Sequence, residues 1–314
     1  MDLSCSRPGR LPRCFTLGLT FAALAVFGGC QHEPAPTGAQ RLMVTDPERR
    51  QLIIYQVEAS GSASPLTVLT EDVPDQPIDV AADANGEAFV ANANGNVRVY
   101  SPNPDGHYET FKHYAGSNTG LVNPTAIAVN YAGSFWVADS GGGHGRVAWF
   151  SGGANGNLTP DRVITGPDTG IHDPRGVALD GSGRVFVSDR PSNQVVVFAT
   201  DANGDATPIT RLGGLHQPGH LAVDPLLNLY VVNQADSSIT VFGTSGPENW
   251  TLSATFTSKA MNSLTGVAAD AAGEVAVGAG SDILFFAPNT QGSADPVRTL
   301  QGREPMHPAG ICIH

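Results

Sequence analysis

The chain has 314 residues, with 37 Gly, 23 Pro, only 15% charged residues and a formal net charge of −12. Abundant turn formers and few charges suit a many-stranded all-β protein, and this length buries an ample core. An acidic chain lacks the clustered Lys and Arg that a phosphate backbone demands, so nucleic acid is not an expected partner.

The first segment reads as an export signal. Arg7, Arg10 and Arg13 form a basic head, and residues 14–27 (CFTLGLTFAALAVF) form an apolar run. That run is too short for a membrane span of ~20 residues. The stretch Phe27-Gly28-Gly29-Cys30 then resembles the lipobox of bacterial lipoproteins. The resemblance implies cleavage before Cys30, diacylation of its thiol and a partnership with the membrane through that lipid. Gln31 follows the cysteine instead of Asp, which in Gram-negative lipoproteins implies the outer membrane. Ordinary secretion with an incidental cysteine is the alternative. Two or three acyl chains anchor stably where one is marginal.

Residues 30–40 are Pro- and Gly-containing and lack periodicity, as expected of a tether. Cys5 and Cys14 belong to the signal, so with Cys30 lipidated no disulfide is expected. Cys312, in the apolar run AGICI, is expected to be a buried small hydrophobe.

From about residue 41 the chain repeats. A Pro opens an apolar strand that ends in a turn former: PIDVAAD from Pro77, PTAIAVN from Pro124, PRGVALD from Pro174 and PGHLAVD from Pro218. LTGVAAD follows with Leu264 in place of Pro, and PAGICIH from Pro308 is the last copy. The openings are 47, 50, 44, 46 and 44 residues apart. Pro is tolerated at the start of a strand, and turns such as DANG, NYAG, DGSG and DAAG then make hairpins. A second strand ends nine residues past each strand-closing Asp or Asn, in Asn92, Asp139, Asp189 and Asn233, with Asp46 closing an N-terminal copy. A third strand (LIIY, VRVY, RVAWF, VVVF, ITVF, ILFF) and a more polar fourth follow.

Four strands at a period in the mid-forties predict a β-propeller blade. The count is six. The N-terminal copy lacks its opening strand and the C-terminal copy has only that strand, so the ring is expected to close by pairing the two. The expected plan is a signal peptide over 1–29, a tether over 30–40 and a six-bladed propeller over 41–314. The repeat wording, an opening Pro-x-x-[IVL]-[AC]-[VALI] followed by VFVSD or its variants and an apolar VxVF, resembles the NHL family. That family includes protein- and RNA-binding modules as well as metal-dependent lactonases and lyases, so the resemblance implies a fold and leaves the activity open.

Candidate chemistry lies on the face that carries the opening Pro and the end of the second strand. The ring Asp46, Asn92, Asp139, Asp189 and Asn233 reads best as turn caps, because it recurs in blade after blade. Departures from the repeat are more informative. Two residues after the opening position stand Asp79, Ala126, Gly176, His220, Gly266 and Gly310, where Asp79 and His220 break a run of small residues. One residue after it stand Ile78, Thr125, Arg175, Gly219, Thr265 and Ala309, where Arg175 is the exception. His172 and His216 sit just before their Pro, His307 directly before Pro308, and His144 in the loop SGGGHG.

Two functions follow as expectations. In the first, the face is a ligand- or protein-binding module using Asp79, Arg175, His172, His216 and His220, with no cofactor and with a small ligand or envelope protein as partner. In the second, a lactonase- or streptogramin-lyase-like enzyme holds a divalent metal through His172, His216, His220, Asp79 and Asp189, activating water or polarising a carbonyl. Whether the protein is an enzyme stays open, leaning to the first. Trp136, Trp149 and Trp250 are expected to be blade packing.

Overall fold

The computed structural model describes residues 40–70, 75–103, 106–246, 249–302 and 304–314. The signal segment, Cys30 and most of the tether lie outside the described residues. The described residues form six sheets, antiparallel except for one short parallel edge strand, and the chain runs through them in order around a ring. Blade 1 comprises Arg41–Asp46, Gln51–Gln56 and Thr67–Leu69, and its innermost strand is Ile311–Ile313 from the other end of the chain. Leu42, Met43 and Val44 pair with Ile313, Cys312 and Ile311. The closure expected from the two incomplete copies is therefore present.

Blades 2, 3, 4 and 6 have four strands each, with inner strands Pro77–Ala82, Pro124–Val129, Pro174–Leu179 and Leu264–Ala269. Blade 5, opened by Pro218–Val223, adds the two-residue strand Gly292–Ser293 in parallel to its outer edge. The second strand of each of blades 2 to 6 is buried along its whole length, so it shows no alternation of apolar and polar residues. A strand in the middle of a blade packs against a neighbouring blade on both faces, and both sets of side chains must be apolar or paired. One apolar cluster fills each gap between neighbours. The clusters join blades 1 and 2, 2 and 3, 3 and 4, 4 and 5, 5 and 6, and 6 and 1.

Aromatics seal these gaps as expected. Tyr114, Phe135 and Phe150 stack between blades 2 and 3. Trp136 and Trp149 lie 5.2 Å apart under the Arg162 guanidinium, and Trp250 packs on Phe186. Cys312 is buried at 3% exposure in the cluster between blades 1 and 2.

Outer edges are covered by the loop of the following blade. Asn155 Oδ1 accepts the His113 N–H at 2.8 Å while Gly156 N–H donates to the His113 carbonyl. Asn203 and Gly204 treat Val163 in the same way, one blade further on. Both glycines have positive φ (+102° and +67°), which a residue with Cβ adopts only with strain. Such latches occupy edge groups that would otherwise recruit a foreign strand.

Candidate functional site

The opening Pro of each inner strand pairs with the last residue of the second strand: Pro77 with Asn92, Pro124 with Asp139, Pro174 with Asp189 and Pro218 with Asn233. The register shifts immediately after each of these Pro residues, and after Leu264 in blade 6. A bulge at this place re-aims the residues that follow. It delivers Ile78, Thr125, Arg175, Gly219, Thr265 and Ala309 to the wall of a funnel with a volume of about 310 Å³. Ala93, Arg190 and Gln234, each one residue past the end of a second strand, complete that wall with His220. Below it the channel narrows to about 60 Å³ and is lined by apolar residues of all six inner strands, with Asp79 and His220 at its mouth. Ligand sites start at ~300 Å³, so a ligand fits the funnel and not the channel.

The carboxylates and amides that end the second strands are structural, as their recurrence suggested. Asp46, Asp139, Asp189 and Asn233 staple the loop before the opening residue, whereas Asn92 bonds within its own blade, to the Val90 carbonyl and Asn96. Asp139 accepts the N–H groups of Val122, Asn123 and Gly141 and a bond from Arg146. Asp189 accepts from the His172 and Asp173 N–H groups at 2.7 and 2.8 Å and from the Ser192 hydroxyl at 2.6 Å. Burial alone would push the Asp189 carboxyl up; the bonds from Ser192, His172 and Asp173 outweigh it and hold the group below the usual carboxylate range.

Those staples fix Asp173, and Asp173 organises the charge of the funnel. Its Oδ2 accepts from Arg175 at 2.8 Å and from Arg190 at 2.9 Å. Two guanidinium groups thus share one carboxylate and leave a net positive charge on the funnel wall of an acidic protein. The buried Arg175 Nε and Thr265 Oγ1 have no hydrogen-bond partner among the described residues, and both residues line the funnel. Arg190 and Asp173 were missed by sequence reasoning. Their signal was the basic residue in VFVSDR at a place filled by Ala93, Ser140, Gln234 and Gly280 in other blades.

Asp79 and His220 come together. The His220 Nδ1 lies 3.6 Å from Asp79 Oδ1, an ion-pair approach longer than a hydrogen bond. Asp79 is 5% exposed and accepts the Ile127 N–H at 2.8 Å and its own neighbour Val80 N–H at 2.9 Å. Desolvation raises its pKa; the His220 charge and those two N–H bonds oppose the rise without cancelling it. The small residues at the same step make the room. A Cβ on Gly310 would stand 2.3 Å from Asp79 Oδ1 and 2.4 Å from its Cα. Gly310→Ala is expected to cost about 1–3 kcal/mol by overpacking, read as a fall of several degrees in thermal unfolding.

The expected metal set is not assembled, and this corrects the sequence reading. His172 engages Asp189, His216 engages Asp236, His220 faces Asp79 and His307 engages Glu48. His172 and His216 side chains are 66% and 61% exposed, outside the funnel wall. Among the described residues no three His, Cys, Asp or Glu side chains are placed to hold a metal ion. The physical reason is that Asp189 already has its oxygens occupied by N–H and hydroxyl donors, and that His172 and His216 sit on separate rim loops while His220 lies inside the strand Pro218–Val223. A divalent metal therefore does not fit these residues. Of the five expected ligand-binding residues, Arg175 and His220 line the funnel, Asp79 lies beneath it, and His172 and His216 stand apart. In a larger open groove of about 730 Å³ on the flank of blade 1, Arg49 is engaged with the Pro305 carbonyl and Tyr55 with Met306 Sδ.

A family model described as lactonase, 7-bladed beta-propeller, matches residues 41–295. The ring described here has six blades where that description counts seven. No curated protein matches the chain. Among solved structures, a protein of unknown function from Bacteroides caccae is 12% identical with a TM-score of 0.63, covering 88% of this chain and 99% of that one. A protein from Bacteroides uniformis, described provisionally as a 6-phosphogluconolactonase, is 14% identical with a TM-score of 0.59, covering 86% and 84%. A functionally unknown protein from Desulfotomaculum acetoxidans is 16% identical with a TM-score of 0.58, covering 80% and 75%. At such identities the likeness is one of fold.

Proposed function

The chain belongs to the family described as lactonase, 7-bladed beta-propeller, and from that premise we propose that its funnel binds a small ligand bearing a carboxylate or phosphate. The ligand's anionic group sits against Arg175 and Arg190. The protein does this in the bacterial cell envelope, tethered to the outer membrane through lipid on Cys30, with its NHL-type repeats serving as the rigid ring that holds the two arginines.

One observation carries the reading: two guanidinium groups share the single carboxylate of Asp173 on the wall of a ligand-sized cavity. Guanidinium is planar, permanently charged and matched to carboxylate and phosphate oxygens, and among the described residues neither arginine has an ion pair with a second acid. Rigid strands on both sides position the pair before a ligand arrives, which lowers the entropic cost of binding. A protein partner that presents an acidic side chain is the other occupant of this chemistry.

Isothermal titration of the full chain with phosphate, gluconate and 6-phosphogluconate tests it. A charge-assisted hydrogen bond contributes about 1.5–3 kcal/mol, so Arg175→Ala and Arg190→Ala are each expected to weaken binding by roughly tenfold or more. Affinity unchanged in the double variant, or no heat from any of these anions, defeats the reading.

A second reading, lactone hydrolysis in the same funnel, is supported by the family description and by the pairing of His220 with Asp79. Its metal-dependent form has no ligand set among the described residues to support it.

A further inference from the structure

Asp79 and His220 occupy the same step of the repeat, in blades 2 and 5. Neighbouring blades share the six apolar clusters in ring order, so blades 2 and 5 stand opposite each other. Their side chains meet across the axis because Ala126, Gly176, Gly266 and Gly310 fill the other four places at this level. His220 lines both the funnel and the channel below it, whereas Asp79 lines the channel alone.

His220 is also pressed against the blade that carries the arginines. The buried Ser188 hydroxyl of blade 4 donates to the Gly219 carbonyl at 2.6 Å. A Cβ on Gly176 would stand 2.5 Å from that same carbonyl oxygen and 3.0 Å from the His220 Cα. Glycine at 176 therefore lets the two inner strands come this close, one residue from Arg175. The charged and titratable groups around His220 come from three blades. Blade 2 supplies Asp79, blade 4 supplies Arg175 and Arg190 with Asp173 bonded to both, and blade 1 has the Cys312 thiol further along the channel. Blades 3 and 6 line the funnel and channel with uncharged residues.

Two guanidinium groups against Asp173 give the wall one net positive charge. The His220 ring has no hydrogen bond to a described residue, and its Nδ1 approaches Asp79 at 3.6 Å. A carboxylate on that side favours the tautomer with its proton on Nδ1. The neutral ring then offers a docked anion only the bare lone pair of Nε2, which repels it. The imidazolium offers an N–H donor and a second positive charge.

We propose that His220 takes up a proton when an anion docks in the funnel and becomes, with Arg175 and Arg190, its third cationic contact. The proposal rests on the anion-binding reading and adds its regulation: affinity rises as pH falls. The sign follows from linkage, because an anion that prefers the imidazolium must in return raise the proton affinity of His220. Histidine changes charge between about pH 5 and 8, a range in which guanidinium does not. Asp79, buried and held by N–H groups from blades 2 and 3, is out of reach of the ligand and stabilises the imidazolium from below.

Isothermal titration of the full chain from about pH 8 to about pH 5 tests this, with sulfate standing for phosphate and gluconate for a carboxylate. Both probes keep their charge over this range, whereas phosphate itself titrates within it. A charge-assisted hydrogen bond gained in the imidazolium form corresponds to a rise of about tenfold or more in affinity at the acid end. Near neutral pH, titrations in two buffers of different ionisation heat are expected to show proton uptake on binding, up to about one per anion. His220→Gln keeps a polar side chain without the charge. It is expected to lose both the rise and the uptake while retaining the affinity of the wild type at alkaline pH. The ring resonance of His220 in the unaltered protein reads the same linkage without a variant, its midpoint moving to higher pH when sulfate is added.

Anion binding that is independent of pH, a rise that survives in His220→Gln, or a His220 midpoint unmoved by sulfate overturns this role and leaves the anion reading standing. Binding of neither probe at any pH takes down the two readings together.

Discussion

Deletion of residues 308–314 is expected to abolish cooperative folding. Ile311, Cys312 and Ile313 are each at most 5% exposed, and they contribute to the clusters on both sides of blade 1. The strand also exchanges backbone bonds with blade 1 at both ends. Thr45 N–H donates to Gly310, Ala309 N–H to Thr45 and His314 N–H to Arg41. Loss of a buried aliphatic side chain costs about 2–5 kcal/mol, and each backbone bond about 1 kcal/mol. Two isoleucines, a cysteine and those bonds together match or exceed the ~5–15 kcal/mol by which a domain is stable. Removal would also bare the edge of Arg41–Asp46 toward the axis, an invitation to aggregate. Circular dichroism on heating and size-exclusion chromatography read the outcome. A sharp transition within a few degrees of the intact chain would mean that the ring closes some other way.

Asp189→Ala is expected to cost about 3 kcal/mol, because it takes one buried acceptor away from three part-buried donors at once. The His172 and Asp173 N–H groups and the Ser192 hydroxyl all point at a carboxylate that is itself fully buried. For a domain of this size that is a drop on the order of 10 °C in Tm. The loss is coupled to the site. Without Asp189 the backbone at Asp173 is released, and with it the carboxylate that aligns Arg175 and Arg190, so anion affinity should fall in the same variant. Acid tests the electrostatic part. The folded pKa of Asp189 is depressed, so its contribution is complete above the unfolded value of about 3.9 and is lost as pH falls through the folded pKa. The gap in stability between wild type and Asp189→Ala should therefore narrow below about pH 4. Asp79 works in the opposite sense. Its pKa is raised, so it weighs against folding once ionised and is relieved by acid. A gap that stays constant down to strongly acidic pH would show that the carboxylate's charge contributes nothing.

Asp79 and His220 were legible as exceptions because the repeat supplies its own control. Four of the six places at that step are Gly or Ala, so an acid and an imidazole there stand out without any other sequence for comparison. Arg175 was legible in the same way. Arg190 was not, because the eye stops at the recurrent Asp189 and the next residue varies freely from blade to blade. The histidines at 172, 216 and 307 misled for a related reason. Equivalent places in a repeat lie on a common rim but far apart around it, and proximity on a rim does not bring side chains to a point. Each instead found the nearest carboxylate on its own or a neighbouring loop.

What the sequence determined by itself is the ring: the spacing of opening prolines, the alternation of apolar strands with Asn, Asp and Gly turns, and two incomplete copies that complete one another. These follow from local rules of strand, turn and edge, which act within a few residues. Which polar groups meet was decided by tertiary structure alone. Asp79 and His220 are separated by 141 positions in the chain, and they touch only because six blades place numbers two and five across one axis. The sharing of Asp173 by Arg175 and Arg190 likewise depends on a bulge after Pro174 and a buried staple at Asp189, and on distances that a strand pattern does not encode.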